Sequence, residues 1–289
     1  MDNSHFSLMT LNLRRELTKK IMTVEDTLRL AANEQIPCVD ILGVQGRAIP
    51  AYQFAMAKTG VKVCCYISTL SLFSGEKSLR KSLEKNMNVA RELGAALFMI
   101  VPYYPVLDNH KARKNGRQWT LDQLVSGFAL AVEKGKEYGL KVCFETTPQE
   151  DIRLSGIEDC RYVLERVPGL GLVFDTANML PHGDDTLAYY EALKEYIVHV
   201  HLKDVALSEA PRSLFPDERA ADGRRMRCVP FGEGVIPVKE IYHRMLADGY
   251  TGHFAIEYAR PKLELCTTEE HRQNLEKHLV ALEYICSPH

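Results

Sequence analysis

The sequence predicts an α/β fold, a closed (β/α)8 barrel with a parallel sheet, on two observations. Short apolar runs of strand length alternate with amphipathic helical runs from end to end, giving eight β/α units in 289 residues. Charged residues also stand at the C-terminal ends of the last four strands, the face on which such barrels carry their chemistry. A doubly wound open sheet is the competing arrangement, but no Gly-rich turn follows the first strand. With no linker-like stretch, one domain over residues 1–289 is expected.

The units follow in order. A strand over Phe6–Leu13 leads to a helix near Thr23–Gln35, with Thr23 as cap and Glu25–Asp26 in an acidic first turn. A strand over Cys38–Val44 precedes a helix across Ala48–Lys58 that Gly60 closes; Val61–Ser68 is the third strand, and a helix from Lys77 to Leu93 stops at Gly94. After a strand over Ala96–Pro102, the stretch Tyr103–Gln118 has Pro, Asn, Gly and a basic run (Lys111, Arg113, Lys114, Arg117) and reads as a solvated loop, with a substrate lid as the alternative. The helix Leu121–Tyr138 ends at Gly139, the strand Lys141–Thr147 follows, and a helix over Ile157–Arg166 leads into the strand Gly171–Asn178. A helix over Thr186–Glu195, a strand over Tyr196–Val205 and a charged excursion Ala206–Pro230 come next. The turn Phe231–Gly234, a helix Val238–Asp248, a strand His253–Ala259 and a helix Thr268–Ile285 complete the chain.

Composition narrows the function. The chain is 46% hydrophobic and 26% charged, with net charge -2 and pI ≈ 6.6, which gives no basic surface for nucleic acid or a membrane. Its apolar runs are too short to span a bilayer. The N-terminal MDNSHFSLMT lacks a basic region followed by an apolar run, so no signal peptide is expected. Eight cysteines, without paired CxxC spacing, read as reduced and mostly buried thiols of a cytoplasmic protein.

The chemistry gathers at four strand ends. In Tyr196–Val205, Val198, Val200 and Leu202 alternate with His199, His201 and Lys203, so one face of this strand is polar. Polar side chains on an inner strand face cost free energy unless paired, so this face is expected to line a polar site. Three other strands, KVCFETT, GLVFDTAN and HFAIEYA, each carry one carboxylate after an apolar run: Glu145, Asp175 and Glu257. Three carboxylates with the His201 imidazole suit one divalent ion, with Mn²⁺ expected first and Mg²⁺, Co²⁺ or Zn²⁺ also compatible.

The segments VCFE, FDTAN, HVHLKD and PFGEG…GYTGHFAIE resemble the xylose-isomerase-like TIM-barrel superfamily of sugar isomerases and epimerases. His201-Leu-Lys-Asp204 with Pro230-Phe-Gly-Glu-Gly234 is most similar to its branch of L-xylulose and L-ribulose 5-phosphate 3-epimerases, and the resemblance covers about residues 140–260. It implies a (β/α)8 TIM barrel with one divalent metal at the C-terminal mouth, held by Glu145, Asp175, His201 and Glu257, with the two glutamates as the acid/base pair. The implied reaction removes a proton beside a ketose carbonyl, a Lewis-acidic metal stabilising the enediolate. Return of the proton to the opposite face epimerises; return to the neighbouring carbon isomerises.

Other residues are candidates for holding substrate. Asn178 matches the Asp-x-x-Asn of the phosphosugar branch, against a plain loop-turning Asn. Lys203 faces the mouth, as a substrate contact or as a salt bridge with a neighbouring carboxylate. Arg227, with Arg224 and Arg225, stands before the Phe231–Gly234 turn, as a phosphate contact or as a solvated charge run. The strand VDIL lacks the terminal glutamate common in relatives, and the apolar walls of Phe6–Leu13 and ALFMIVPYY suit a bulkier substrate. The expected partner is a small carbohydrate, with no nucleic acid or membrane, and a homo-oligomer is compatible with the family. Three other readings compete: an inosose-dehydratase-like lyase on the same metal site, a DNA-repair endonuclease of the superfamily, and a non-catalytic barrel. The endonuclease needs extra histidines and a basic groove that this sequence lacks.

Overall fold

Each barrel strand is short, apolar and followed by a chain reversal, so hydrogen bonding is satisfied only by pairing side by side with its neighbours. The computed structural model describes residues 3–102, 106–146, 154, 156–209, 218–257 and 267–287. In it, eight strands close a parallel barrel: β1 (Phe6–Met9), β2 (Cys38–Leu42), β3 (Lys62–Leu70), β4 (Leu97–Pro102), β5 (Lys141–Glu145), β6 (Gly171–Asp175), β7 (Ile197–Leu202) and β10 (Phe254–Ile256). They pair in sequence order, and β10 closes the ring against β1 through Phe6 opposite Phe254. The predicted fold is the observed one.

Around them lie α1 (Arg14–Lys19), α2 (Val24–Asn33), α3 (Ile49–Thr59), α4 (Glu76–Glu92), α5 (Val106–Tyr138), α6 (Ile157–Arg166), α7 (Thr186–Leu193), α8 (Val238–Ala247) and α9 (Thr268–Cys286). Thr23 caps α2 in a reciprocal capping box with Asp26. The α5 helix lies so close to β5 that a Cβ on Gly135 would stand 2.5 Å from Val142 Cγ2; only glycine permits that approach.

Two apolar cores result, as a barrel requires. The large one packs helices on the outer strand faces; Phe128 on Phe144 and Phe174 on Tyr189 are examples. The small one fills the lumen with Met9, Cys65, Ile67, Met99, Cys143 and Val173. Cys143 and Val173 lie two residues below Glu145 and Asp175, so strand alternation sends both carboxylates inward.

Several expected boundaries are corrected. The basic stretch expected as a loop is helical from Val106, and only Gly116, at φ +84°, breaks α5 into two segments. Lys, Arg, Asn and Gln all sustain a helix, so the single Gly was the true signal there. Residues 103–105 lie outside the described residues. The first strand ends at Met9, where Thr10–Leu13 turn into a 3-10 helix. The strand expected over Tyr196–Val205 breaks at Lys203, and its continuation leaves the barrel. There β8 (Asp204–Ser208) pairs antiparallel with β9 (Arg225–Val229), a hairpin inside what reads as an irregular excursion. The described cysteines are all free thiols, and no described helix is long and apolar enough to cross a membrane.

Asp204 explains why HLKD and PFGEG belong together. Its carboxylate accepts the backbone N–H of Gly232 (2.9 Å), Gly234 (3.0 Å), Ile236 (3.1 Å) and Val205 (2.8 Å). Gly234 is obligatory in that cradle, since a Cβ there would fall 2.1 Å from Asp204 Oδ1. Asp204→Asn turns an amide donor toward these N–H groups, and each one left buried and unpaired costs about 1–3 kcal/mol. The variant is therefore expected to unfold at lower urea concentration than wild type; an unchanged midpoint would remove Asp204 from the stability of the turn.

Candidate metal centre

The four strand ends converge at the C-terminal mouth. Glu145 and Asp175 are the last residues of β5 and β6, His201 is next to last in β7, and Glu257 follows β10 directly. Register aligns them, with Asp175 beside His201 and His201 beside Ala255, two residues before Glu257. One ligand atom from each of the four lies within 4.8 Å of the others. His201 Nδ1 stands 2.5 Å from Glu145 Oε1 and 3.9 Å from Glu257 Oε2. All four are buried or nearly so.

Donor set and charge both fit a divalent cation. Among the described residues, three carboxylates face a single ammonium, Lys203, whose Nζ lies 2.7 Å from Asp175 Oδ2 and 3.2 Å from Glu257 Oε1. With a neutral His201, two negative charges stay uncompensated in a buried site, which is costly without a counter-ion. Asp175 is split in function. Its Oδ1 accepts the N–H groups of Ala177 (2.8 Å) and Asn178 (3.0 Å), which fixes the carboxylate plane. Its Oδ2 is buried, with the Lys203 ammonium 2.7 Å away as its charge partner.

Electrostatics follow from this crowding. Burial opposes charge on His201, but Glu145 and Asp40 on either side hold its pKa well above the usual value. Burial likewise opposes charge on Lys203, and Asp175 and Glu257 outweigh it, so the ammonium stays charged. At Glu257 burial wins instead: it pushes the carboxyl up to about 7, against the pull of Lys203.

Of the residues expected to hold substrate, two join the cluster and one does not. Lys203 Nζ donates to Asn178 Oδ1 at 3.0 Å, and Asn178 Nδ2 donates to the Thr146 carbonyl at 2.8 Å. Asn178 thereby ties the turn after β6 to the end of β5. Arg227 sits on the exposed side of β9 opposite Ala206, and among the described residues no contact joins it to the cluster. Arg224 is engaged by Asp222, Nε to Oδ2 at 2.7 Å.

Sequence reasoning missed Asp40. This β2 carboxylate, fully buried, reaches across the lumen to His199 Nε2 (2.6 Å) and His201 Nε2 (3.2 Å). Burial alone would raise its pKa, but the two imidazoles hold it well below the carboxylate range. The available signal was an acid in mid-strand, between Val39 and Ile41, on an inner face where it had to find partners.

The fold is a (β/α)8 barrel whose mouth gathers three carboxylates and an imidazole able to hold a metal ion, and comparison with known proteins gives its family. The family model described as xylose isomerase-like TIM barrel matches residues 28–281, and the chain belongs to that family. An inosose dehydratase of Lactiplantibacillus plantarum is 27% identical over 183 residues, 60% of this chain and 54% of that protein. A second, from Geobacillus thermodenitrificans, is 27% identical over 140 residues, 47% of this chain and 46% of that protein. The matches thus span about half the length of these curated relatives. Among solved structures, the IOLI protein with a bound zinc atom superposes with TM-score 0.72 at 17% identity, covering 98% of this chain and 100% of that one. The 3-keto-D-glucoside 4-epimerase of E. coli superposes with TM-score 0.65 at 13% identity, covering 98% of each chain.

Two outcomes are expected of the cluster. Asp175→Asn, which exchanges an anionic oxygen for a neutral amide, and His201→Ala, which removes a ligand, should each lower divalent-metal affinity, measured by titration calorimetry; wild-type affinity retained in both would sink the assignment. Protons compete for the same atoms, and His201 is held protonated in the metal-free cluster, so apparent affinity should fall as pH is lowered through neutrality. Affinity independent of pH between 8 and 6 (about two pH units spanning the usual imidazole range) would exclude His201 as a ligand.

Proposed function

We propose that this chain is a divalent-metal-dependent enzyme that moves a proton on the carbon beside the carbonyl of a polyhydroxylated ketone, as a sugar epimerase or isomerase. The observation that carries the reading is the placement of Glu145 and Glu257. They extend from β5 and β10, strands separated in the ring by β6 and β7, and both approach His201 Nδ1, from Oε1 at 2.5 Å and Oε2 at 3.9 Å. Two carboxylates flanking one centre can each serve one face of a substrate carbon.

A metal held by Glu145, Asp175, His201 and Glu257 supplies Lewis acidity for the negative charge that develops on the carbonyl oxygen. The chain does the rest. Glu145 and Glu257 are the groups we assign to take and return the proton. Lys203 bridges the Asp175 and Glu257 carboxylates, and we assign its ammonium the role of holding a substrate hydroxyl. Asn178 fixes that ammonium from the other side. The substrate we assign is a small carbohydrate.

A second reading is favoured by the curated relatives, which are named inosose dehydratases. The same proton abstraction, followed by departure of a hydroxyl one carbon further on, eliminates water. Glu145 or Glu257 then protonates the leaving oxygen instead of the carbon. The two readings diverge after a shared first step, and a panel of ketoses and inososes scored for loss of water against change of configuration separates them.

The glutamates allow a sharper test. Glu145→Gln and Glu257→Gln each keep an oxygen for the metal while removing one proton-transfer group, and each should lose turnover by roughly 10²–10⁴. In deuterated water they should fail differently. The variant that retains the deprotonating glutamate should still exchange the substrate proton for deuterium without inversion, and its counterpart should do so only from the opposite epimer. Metal content is measured alongside. If both metal-loaded variants turn over at the wild-type rate, the two-glutamate mechanism is wrong. Lys203→Met should keep metal bound and lower kcat/KM; unchanged kinetics would leave Lys203 with a purely structural role.

A further inference from the structure

We infer that Asp40 is the positioning residue of the metal centre: it turns the His201 ring so that Nε2–H points into the lumen and the Nδ1 lone pair points at the ion. The inference rests on the metal-dependent reading above and assigns a residue outside the four ligands.

The argument starts from the imidazole. A neutral imidazole carries one proton, and its tautomer is set by what each nitrogen faces. His201 Nε2 faces Asp40 Oδ2 at 3.2 Å, and Nδ1 faces Glu145 Oε1 at 2.5 Å and Glu257 Oε2 at 3.9 Å. An ionised carboxylate can only accept, so in the metal-free cluster both nitrogens have an acceptor to donate to; a cation among Glu145, Asp175 and Glu257 would take the place of the Nδ1 proton, whereas Asp40, paired inside the lumen, would keep the proton on Nε2. An outer carboxylate that orients a ligating histidine in this way also makes it a stronger ligand.

Asp40 is itself held firmly enough to do this. Its Oδ1 accepts from Ser7 Oγ at 2.9 Å and from Cys64 Sγ at 2.9 Å; its Oδ2 accepts from His199 Nε2 at 2.6 Å and from His201 Nε2. A carboxylate has about four lone-pair sites, and here donors from β1, β3 and β7 take them all. The group cannot rotate without stranding a buried donor. Saturation also argues against the other use of these residues. Asp40, His199 and His201 lie close enough together to be ligands of a second ion, which would require both Nε2 atoms to lose their protons and Asp40 to give up its donors. The arrangement is complete without one.

The test uses the full-length protein and zinc alone, which is diamagnetic. In protein labelled with nitrogen-15 at histidine and loaded with zinc, His201 should show a protonated Nε2 and a metal-bound Nδ1, and calorimetry should give one ion per chain. Asp40→Asn replaces a charged, acceptor-only group by a neutral amide, weakens the hold on the Nε2 proton and should weaken zinc binding by about 10- to 100-fold. A zinc-bound Nε2, two ions per chain, or a folded Asp40→Asn variant that binds zinc as wild type does would each overturn the inference. The wild-type spectrum decides even if that variant does not fold. Wild-type protein that binds no zinc or manganese at the cluster would instead overturn the metal-dependent reading itself.

Discussion

Three carboxylates from separate strands cannot share a buried space unless cations stand among them, and the rest of the mouth is arranged around that constraint. Lys203 supplies one positive charge, to an oxygen of Asp175 and one of Glu257, and the three carboxylates remain short of balance. Backbone N–H groups from the β6 turn hold the other Asp175 oxygen, so mutual repulsion is resisted by geometry as well as by charge. A site of this kind is poorly suited to stabilising a fold and well suited to capturing a divalent ion.

The lumen below the mouth is divided. From β3 to β6, joined by Met9 at the end of β1, it is filled with apolar and thiol side chains, as a barrel interior ordinarily is. On the side of β1, β2 and β7 it is polar, with Ser7, Asp40 and His199 buried together. Burying such groups is tolerable because each finds a partner, and breaking one pair in such a network typically costs 3–5 kcal/mol, roughly. The polar half therefore acts as a rigid footing for His201, while the apolar half supplies most of the lumen's packing.

Much of this was legible in the sequence, and the physical reasons are specific. Glu145, Asp175, His201 and Glu257 could be found because each closes an apolar strand, a pattern visible within six or seven residues, and β/α alternation then placed those ends on one face. Asp40 was not, because its meaning lies in partners 159 and 161 residues away that no local pattern reports. The β8–β9 hairpin was hidden because its strands are charged on the solvent side and depend on tertiary support from Asp204. The helix before Gly116 was hidden by the opposite error, a basic run read as loop although its residues are good helix formers. Arg227 shows that charge near a motif does not establish proximity to the site: it lies on the exposed side of a strand whose other side packs inward.

The saturation of Asp40 also shapes how this chain can vary over time. Ser7, Cys64, His199 and His201 come from three strands far apart in sequence, yet all of them answer to one pair of oxygens. Replacement of any one leaves an acceptor bare or a donor stranded, so a tolerated change at one position calls for a matching change at another. These five positions should drift as a set, while the exposed loops and helix faces around them drift singly. The lumen of this barrel is thus an inherited unit, distinct from the strand ends that carry its chemistry.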